Sequence, residues 1–336
     1  MLACRSAERG ARLEAALRAE HEARGLPPPS LEVRLLDLAS LSSVRAFCEG
    51  FMMSGGKSSG RKTTRAATPT PPRPLHVLIC NAGVFNMGVR ERRETAEGGF
   101  EEHLACNHLG HFLLAVLLLP SLREGTRELE AAASSLLLPR ARVVSVSSAM
   151  HHYGASLGAD EADRADPQLK GVNKSSGSGK KGGGTTTTPS SGRYSTDRAY
   201  ARSKLAQLLF TAELRRRAGH EVDALALHPG MVVTDVVRSL PPMVGAAYRA
   251  LMGRLLLSPD EGCRASVVAA TKREVGGASS SSSSWYLDAN AEPVAPCAVA
   301  ECPERAAWLW EWSAEAVGLR EEEDVGVVVA KGGRRR

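Results

Sequence analysis

The alternation of short apolar segments with longer amphipathic segments constrains the fold of this chain more than any other feature. Apolar runs of strand length occur at Leu31–Leu36, His76–Cys80, Arg142–Val146 and Val222–Leu227. Segments with helical periodicity lie between them. Strands that alternate with helices predict a parallel sheet with helices on both faces, which is an α/β fold.

Further elements complete this pattern. Met1–Cys4 has the composition of the end of a strand. Helices are predicted at Ala7–Arg24, Ser40–Phe51, Gly99–Leu119 and Ala199–Arg217. The sequence contains no internal repeat, so a solenoid or propeller is not predicted.

Low-complexity stretches fall between these elements. The segment Lys174–Ser191 is nearly all Ser, Gly, Lys and Thr, a composition that cannot bury a core. We therefore expect such stretches to be surface loops and not domain boundaries. The predicted organisation is one domain over residues 1–320, looped or disordered inserts at about 53–74, 155–195 and 277–284, and a basic tail at 321–336.

The charge and the cysteine content narrow the function classes. The formal net charge is +6, but part of the excess lies in polar stretches and in the last residues, so no nucleic-acid surface is predicted. The seven cysteines are odd in number and form no Cys-x-x-Cys pair, which indicates reduced thiols and neither disulfides nor zinc ligands. His108 and His111 have no evident third ligand, so no metal site is predicted.

The hydropathy of the chain does not predict a transmembrane segment. The apolar run Phe112–Leu119 ends at Pro120, which is typical of a buried helix. The first residues reach Arg5 and Glu8 too soon for a signal peptide. The predicted location is the cytoplasm or the cytosolic face of a membrane.

Polar and turn-forming residues follow each predicted strand. Ligands of open α/β sheets bind at these carboxyl ends, and small or polar residues there suit a dinucleotide. The residues are Cys4-Arg5, Asp37, Asn81-Ala82-Gly83, Ser147-Ser148 and His228-Pro229-Gly230.

Tyr200 and Lys204 form the sharpest chemical motif. They are four residues apart on a predicted helix and therefore share a face. The pKa of a free phenol is about 10, and a nearby ammonium lowers it toward the range useful for proton transfer. An ordinary surface Tyr and Lys would show the same spacing, so the motif needs support from other residues.

Ser148 and Asn107 each admit two interpretations. Ser148 ends a strand, where its hydroxyl either orients a substrate carbonyl toward the phenol or caps the following turn. Asn107 lies in an apolar helix, where its amide either kinks the helix and holds water near Lys204 or is simply a satisfied core side chain.

Taken together, these residues resemble the short-chain dehydrogenase/reductase superfamily, and within it the branch of the retinol dehydrogenases and the WW-domain-containing oxidoreductase. The similarity runs from Leu2 to about Thr234, apart from the inserts, and continues more weakly to about Leu319. The motifs that carry it are Leu2-Ala3-Cys4-Arg5, Leu36-Asp37-Leu38-Ala39, Leu75-His76-Val77-Leu78-Ile79-Cys80-Asn81-Ala82, Asn107-His108-Leu109-Gly110-His111-Phe112, His228-Pro229-Gly230 and Pro259-Asp260-Glu261-Gly262.

The resemblance implies a Rossmann-like doubly wound sheet and an enzyme that moves a hydride between a nicotinamide and a substrate carbon. Tyr200 would be the general acid in reduction and the base in oxidation. Lys204 would lower its pKa and hold the nicotinamide ribose. Ser148 would steady the substrate oxygen, and Asn107 would support the proton relay.

The resemblance also implies a cofactor site. Arg5 falls at the position where family members bind the 2′-phosphate of NADP(H), and no acidic residue occupies that position. The resemblance therefore favours NADP(H) and leaves NAD(H) open. An exposed charge at a helix start is the alternative interpretation of Arg5. The other implied contacts are Asp37 with the adenine, Asn81, Ala82 and Gly83 beneath the adenosine, and Pro229, Gly230 and Thr234 near the nicotinamide amide.

The family begins with a strand and a glycine-rich turn that cradles the pyrophosphate, and neither precedes Met1–Cys4 in this sequence. The resemblance therefore implies an N-terminally truncated chain. In the family order 3-2-1-4-5-6 the first strand is central, so Met1–Cys4 must either pair with His76–Cys80 or leave an open slot. Two hypotheses follow: an incomplete sequence of an active enzyme, or a catalytically impaired fragment that binds partners.

The segment Val236–Leu257 is apolar, which favours a lipophilic alcohol or carbonyl such as a retinoid or steroid. A core or dimer-packing helix explains the same pattern, so a homodimer stays open, as does membrane association of a full-length form. A nucleotide-sugar epimerase shares the Tyr-x-x-x-Lys motif, but it has a larger C-terminal substrate domain than this chain provides.

Overall fold

The structure is a computed structural model that describes residues 1–54, 71–86, 89, 91–132, 138–169, 194–232, 256–275 and 285–324. The strands are β1 (Leu2–Cys4), β2 (Val33–Leu35), β3 (Val77–Cys80), β4 (Arg142–Val146), β5 (Asp223–Leu227) and β6 (Tyr286–Leu287). The α-helices are α1 (Ala7–Ala23), α2 (Leu41–Met53), α3 (Glu102–Leu104), α4 (Gly110–Leu117), α5 (Leu119–Ala132), α6 (Glu161–Ala165), α7 (Thr196–Ala218), α8 (Pro259–Thr271) and α9 (Pro303–Ala316).

The strands form two parallel sheets. One sheet is the pair β1–β2, and the other has the order β3–β4–β5–β6. In the larger sheet Val77 lies opposite Arg142, and Arg142 lies opposite Asp223. Strands β4 and β5 are buried along their whole length because they occupy the centre of this sheet. The predicted α/β fold with a parallel sheet flanked by helices is confirmed.

An open slot separates β1 from β3. Among the described residues no strand pairs with either of the facing edges. The consequence is visible on β3, where Ile79 is 43% exposed although it is a large apolar residue. Of the two arrangements expected from the sequence, the structure therefore has the open slot and not a direct pairing of β1 with β3.

Helix α2 attaches the β1–β2 sheet to the rest of the molecule. Val44, Cys48 and Phe51 of α2 belong to the same buried cluster as Phe112 of α4. Gly110 begins α4 against the backbone that follows β2, and a Cβ there would lie 2.4 Å from the carbonyl oxygen of Leu38. A residue with a side chain at Gly110 would push the two units apart.

Two predicted helices differ from the structure at their boundaries. The helix predicted over Gly99–Leu119 is divided: α3 passes into one π-helical segment, Ala105–Leu109, before α4 begins. The helix predicted at Ala199–Arg217 begins earlier, at Thr196, because the Ser195 hydroxyl accepts the N–H of Arg198 and caps it.

Parts of the predicted inserts and of the tail pack on the domain. Residues 155–169 contain α6, and Asp163 of α6 forms an ion pair of 2.9 Å with the buried Arg202 of α7. At the tail, Glu323 lies 3.1 Å from Arg45, and the indole of Trp310 donates to Asp324. The folded region thus reaches at least residue 324; 170–193 and 325–336 lie outside the described residues.

In the described part of the chain, no single helix has the length and hydropathy needed to cross a bilayer. Glu102–Leu117 and Leu119–Ala132 meet the requirement only when taken together, and a bend of 56° separates them.

Candidate active site

Helix α7 and the end of β4 bring three of the predicted residues together. Ser148 follows β4, and Tyr200 and Lys204 lie on α7. The hydroxyl of Ser147 donates to the carbonyl oxygen of Lys204 over 2.8 Å, which fixes the strand end against the helix. The three side chains therefore meet at the carboxyl edge of the larger sheet, where ligands of this architecture bind.

Tyr200 is half-buried and lies near the hydroxyl of Ser148, which accepts the N–H of Met150 at 3.2 Å and so caps the following turn. Its ring stacks on Phe85 with 4.4 Å between the centroids. Burial raises the pKa of Tyr200, and the nearby hydroxyl of Ser148 opposes that increase. This direction differs from the sequence expectation, in which Lys204 lowers the pKa, because burial of the phenol outweighs the other effects.

Lys204 has only 4% of its surface exposed. Its Nζ donates to the carbonyl oxygen of Val146 at 2.9 Å and to Oε1 of Gln207 at 3.1 Å. The same atom lies 5.7 Å from the ring centroid of Tyr200. Burial lowers the pKa of Lys204 to about 8, so the ammonium form predominates at neutral pH. An ammonium has three N–H donors, and the two hydrogen bonds above leave one for a ligand.

Asn107 occupies the middle of the π-helical segment and is fully buried. Its Oδ1 accepts the N–H of Val84 at 2.7 Å, and its Nδ2 donates to the carbonyl oxygen of Val84 and to Oγ of Ser203. Ser203 in turn donates to the carbonyl oxygen of Tyr200. Asn107 thus clamps the loop after β3 to the turn of α7 that carries Tyr200, which makes it a positioning residue; its part in a proton relay stays a prediction.

Gly83 leaves an open cradle beside this constellation. It is exposed after β3, and a Cβ there would lie 3.1 Å from Oδ1 of Asn107 and 3.5 Å from Nζ of Lys204. The cradle and the remaining N–H of Lys204 fit the hydroxyl-bearing ribose of a nicotinamide nucleotide. No glycine-rich turn at a helix N-terminus accompanies them among the described residues.

The residues predicted to lie near the adenosine are at the same edge. Arg5 is exposed between β1 and α1, and Asp37 follows β2 and accepts the N–H of Ala39. The charges of Arg5 and Asp37 both act on the thiol of Cys106, whose pKa burial raises to about 12. Both side chains therefore lie near the π-helical segment. Asn81 and Ala82 are exposed beside Gly83.

The residues predicted near the nicotinamide amide are only partly described. Pro229 and Gly230 follow β5, and Gly230 has a positive φ of 79° that favours glycine. A Cβ at Gly230 would lie 2.8 Å from Leu257. Thr234 lies outside the described residues, as do residues 236–255 of the predicted lipophilic segment.

Several contributing residues had no distinctive sequence signal. Phe85, Ser203 and Gln207 contact Tyr200, Asn107 and Lys204 respectively, but single Phe, Ser and Gln residues predict nothing by themselves. A buried network also lies behind Tyr200, in which Glu101 accepts from His103 and from Tyr194, both at 2.7 Å. Its members come from distant parts of the sequence, so only the fold reveals it.

The chain is similar to several curated proteins over most of its length. Dehydrogenase/reductase SDR family member FEY of Arabidopsis thaliana is 32% identical over 89% of this chain and 66% of its own length. Human retinol dehydrogenase 14 is 33% identical over 86% of this chain and 67% of its own. Human polyprenol dehydrogenase is 36% identical over 74% of this chain and 58% of its own. The chain thus spans roughly two thirds or less of these relatives.

Solved structures agree with the fold. An uncharacterised protein from Mycobacterium paratuberculosis superposes with a TM-score of 0.55 at 28% identity, over 94% of this chain and 82% of its own. The carbonyl reductase Sniffer of Drosophila melanogaster superposes with a TM-score of 0.50 at 18% identity, over 88% of this chain and 86% of its own. No family model matches the chain.

A parallel α/β sheet with Ser148, Tyr200 and Lys204 at its carboxyl edge defines a Rossmann-like α/β protein with a Ser/Tyr/Lys site. Since human retinol dehydrogenase 12 is 33% identical over 71% of its length, the chain belongs to the short-chain dehydrogenase/reductase family.

Proposed function

We propose that the protein is an NADP(H)-dependent oxidoreductase that interconverts an alcohol and a carbonyl. The observation that carries the proposal is the meeting of Ser148, Tyr200 and Lys204 at the carboxyl edge of the sheet, with the Gly83 cradle beside them. A nicotinamide cofactor supplies or accepts the hydride. The remaining chemistry is the movement of one proton, which the side chains of this chain perform.

In the reduction direction Tyr200 donates its proton to the carbonyl oxygen of the substrate. Because burial raises its pKa, the phenol is protonated at neutral pH and is ready to act as an acid. The hydroxyl of Ser148 lies near Tyr200, accepts the N–H of Met150 and keeps its own O–H to donate to the same oxygen. The ammonium of Lys204 stabilises the phenolate left behind and offers its remaining N–H to a ribose hydroxyl.

The preference for NADP(H) over NAD(H) rests on Arg5. A guanidinium at the end of β1 can form charge-assisted hydrogen bonds with a 2′-phosphate. An acidic residue, which would hydrogen-bond to a free 2′-hydroxyl, does not occupy this place.

The proposed substrate is lipophilic, of the retinoid, steroid or polyprenol class. Relatives named retinol dehydrogenase and polyprenol dehydrogenase support this choice. The apolar composition of residues 236–257 supports it independently. Association with a membrane and formation of a homodimer stay predictions.

The test is turnover of retinoid, steroid and polyprenol aldehydes or ketones with NADPH. We expect Tyr200→Phe to lose at least about a hundredfold in kcat, since general acid catalysis contributes roughly that much. Tyr153→Phe is the matched control, because Tyr153 is 76% exposed and should keep wild-type turnover. Full turnover by Tyr200→Phe would exclude the proposed role of that phenol.

The second candidate is a catalytically impaired protein that binds partners. The observation that favours it is that β1 and β3 do not pair among the described residues. Titration with NADPH, followed by its fluorescence, separates the two candidates. Saturable binding supports the enzyme, and no binding at millimolar NADPH supports the impaired protein.

A further inference from the structure

Three potential metal ligands that are distant in sequence meet beside the candidate active site. His151 and His152 lie in a 3₁₀ helix, Ala149–Gly154, that directly follows Ser148. Cys297 precedes another 3₁₀ helix, Ala298–Glu301. One ring nitrogen from each histidine and Sγ of Cys297 all lie within 4.8 Å of one another.

The hydrogen bonds of His151 prepare it for a ligand. Its Nδ1 lies 2.7 Å from the carbonyl oxygen of Ser148, which can only accept, and 3.4 Å from the hydroxyl of Tyr286, which can accept as well, so Nδ1 carries the proton. The lone pair is therefore on Nε2. That atom is buried and has no hydrogen-bond partner in the described part of the chain. A buried polar atom without a partner calls for an explanation, and a bound ion provides one.

The same bond is the usual outer-shell contact of a metal-binding histidine. Such histidines donate their second ring N–H to a carbonyl or carboxylate, which fixes the tautomer and the ring orientation.

His152 and Cys297 complete the donor set. The rings of His151 and His152 lie 4.0 Å apart between centroids, and His152 is exposed, so an ion can enter from solvent. Cys297 is half-buried.

We propose that His151, His152 and Cys297 form a binding site for a thiophilic divalent cation of the zinc class, with water as the fourth ligand. Two imidazoles and one thiolate suit zinc in tetrahedral coordination, whereas magnesium and calcium prefer oxygen ligands. On binding, a metal–sulfur bond forms and the thiol proton passes to solvent, so the charge of the site rises by one unit.

The position of the site connects it to the candidate active site. The 3₁₀ helix begins at Ser148 and packs closely on α7, since a Cβ at Gly154 would lie 2.5 Å from the carbonyl oxygen of Ala201. A bound ion would tie this turn to the segment of Cys297. The proposal concerns binding and does not depend on the proposed enzymatic function.

The test uses cobalt(II) as a spectroscopic probe of the reduced, chelator-treated full chain. Tetrahedral cobalt with a thiolate ligand gives visible d–d bands and a near-ultraviolet sulfur-to-metal charge-transfer band, and zinc should displace both. We expect one cobalt per chain with this signature. Cys297→Ser should lose the charge-transfer band, and His152→Ala should weaken binding at least about tenfold.

Matched controls exclude general effects of removing a thiol or an imidazole. Cys302→Ser removes a thiol from the same region, and His220→Ala removes an exposed imidazole on another surface, so both should bind cobalt as the wild type does. His152 is exposed, so its replacement should leave the fold intact even if that of Cys297 does not. Absence of the charge-transfer band in the wild type, or its persistence in Cys297→Ser, would overturn the proposal.

Discussion

At the scale of single residues, burial moves the pKa values of the two central groups in opposite directions. It raises that of Tyr200 and lowers that of Lys204 to about 8. At neutral pH the pair is therefore a phenol beside an ammonium. Under the proposed function, this combination suits proton donation to a carbonyl.

The titration of Lys204 predicts a pH limit on cofactor binding. As pH rises through about 8 the ammonium loses its proton, and with it its positive charge and one of its three N–H donors. We expect the dissociation constant for NADPH, measured by fluorescence titration, to increase above that pH.

Two variants test whether this limit belongs to Lys204. Tyr200→Phe should keep it, since the phenol is not the titrating group. Lys204→Arg should remove it, because a guanidinium stays charged throughout this range. An unchanged limit in Lys204→Arg would assign the titration to another group.

The assignment of Arg5 predicts a change in cofactor preference. Arg5→Ala should raise the KM for NADPH by about tenfold to a hundredfold, the equivalent of one charge-assisted hydrogen bond, and leave the KM for NADH unchanged. Arg9→Ala removes a nearby exposed charge from α1 and serves as the control. An equal increase in KM for NADPH and for NADH would show that Arg5 does not bind the 2′-phosphate.

At the scale of elements, the π-helical segment Ala105–Leu109 joins parts that the sequence separates. It directs Asn107 toward Val84 and Ser203, and so couples the loop after β3 to α7. Single π-helical turns are common at functional sites. The relative positions of Gly83 and Tyr200 depend on this clamp.

Removal of the clamp should destabilise the protein. Asn107→Ala leaves the part-buried N–H and carbonyl of Val84 without their partner and removes the donor to the hydroxyl of Ser203, which keeps its bond to Tyr200. We expect the free energy of unfolding, measured with urea, to fall by about 2–4 kcal/mol. Asn290→Ala, in an exposed turn, should change it by less than about 0.5 kcal/mol. An unchanged free energy of unfolding in Asn107→Ala would show that Asn107 does not hold the loop after β3 against α7.

At the scale of the whole molecule, the slot between β1 and β3 divides the sheet into two units held together mainly through α2 and α4. The N–H of Arg142 donates to the carbonyl of His76, so the backbone groups of His76 point toward β4. Successive residues of a strand direct their backbone groups to opposite edges, so the N–H groups of Val77 and Ile79 point toward the slot. No partner for these two groups occurs among the described residues.

The slot predicts uneven amide hydrogen exchange. The amides of Val77 and Ile79 should exchange at least about a hundredfold faster than those of Val143 and Val144 in the neighbouring strand β4, which is buried along its length. Hydrogen exchange followed by NMR measures this directly. Comparable protection in β3 and β4 would mean that a strand fills the slot in solution.

The sequence predicted the elements that periodicity controls and the site residues that motifs identify. The strands near Arg142–Val146 and Val222–Leu227 fall within a residue of their observed positions, because a short, mainly apolar run followed by turn-forming residues has few alternatives. The break in the helix at Ala105 and the ordered turn at α6 could not be predicted, since both depend on tertiary contacts such as that between Asp163 and Arg202. The cluster of His151, His152 and Cys297 was missed for the same reason.

The transfer of a labelled hydride tests the central claim most directly. The full chain is supplied with NADPH deuterated at the transferred position of its nicotinamide and with a lipophilic aldehyde, and the product is analysed by mass spectrometry. The account predicts an alcohol that carries one deuterium on the former carbonyl carbon, and loss of this product with Tyr200→Phe. An unlabelled alcohol, or equal labelling by wild type and Tyr200→Phe, would contradict it.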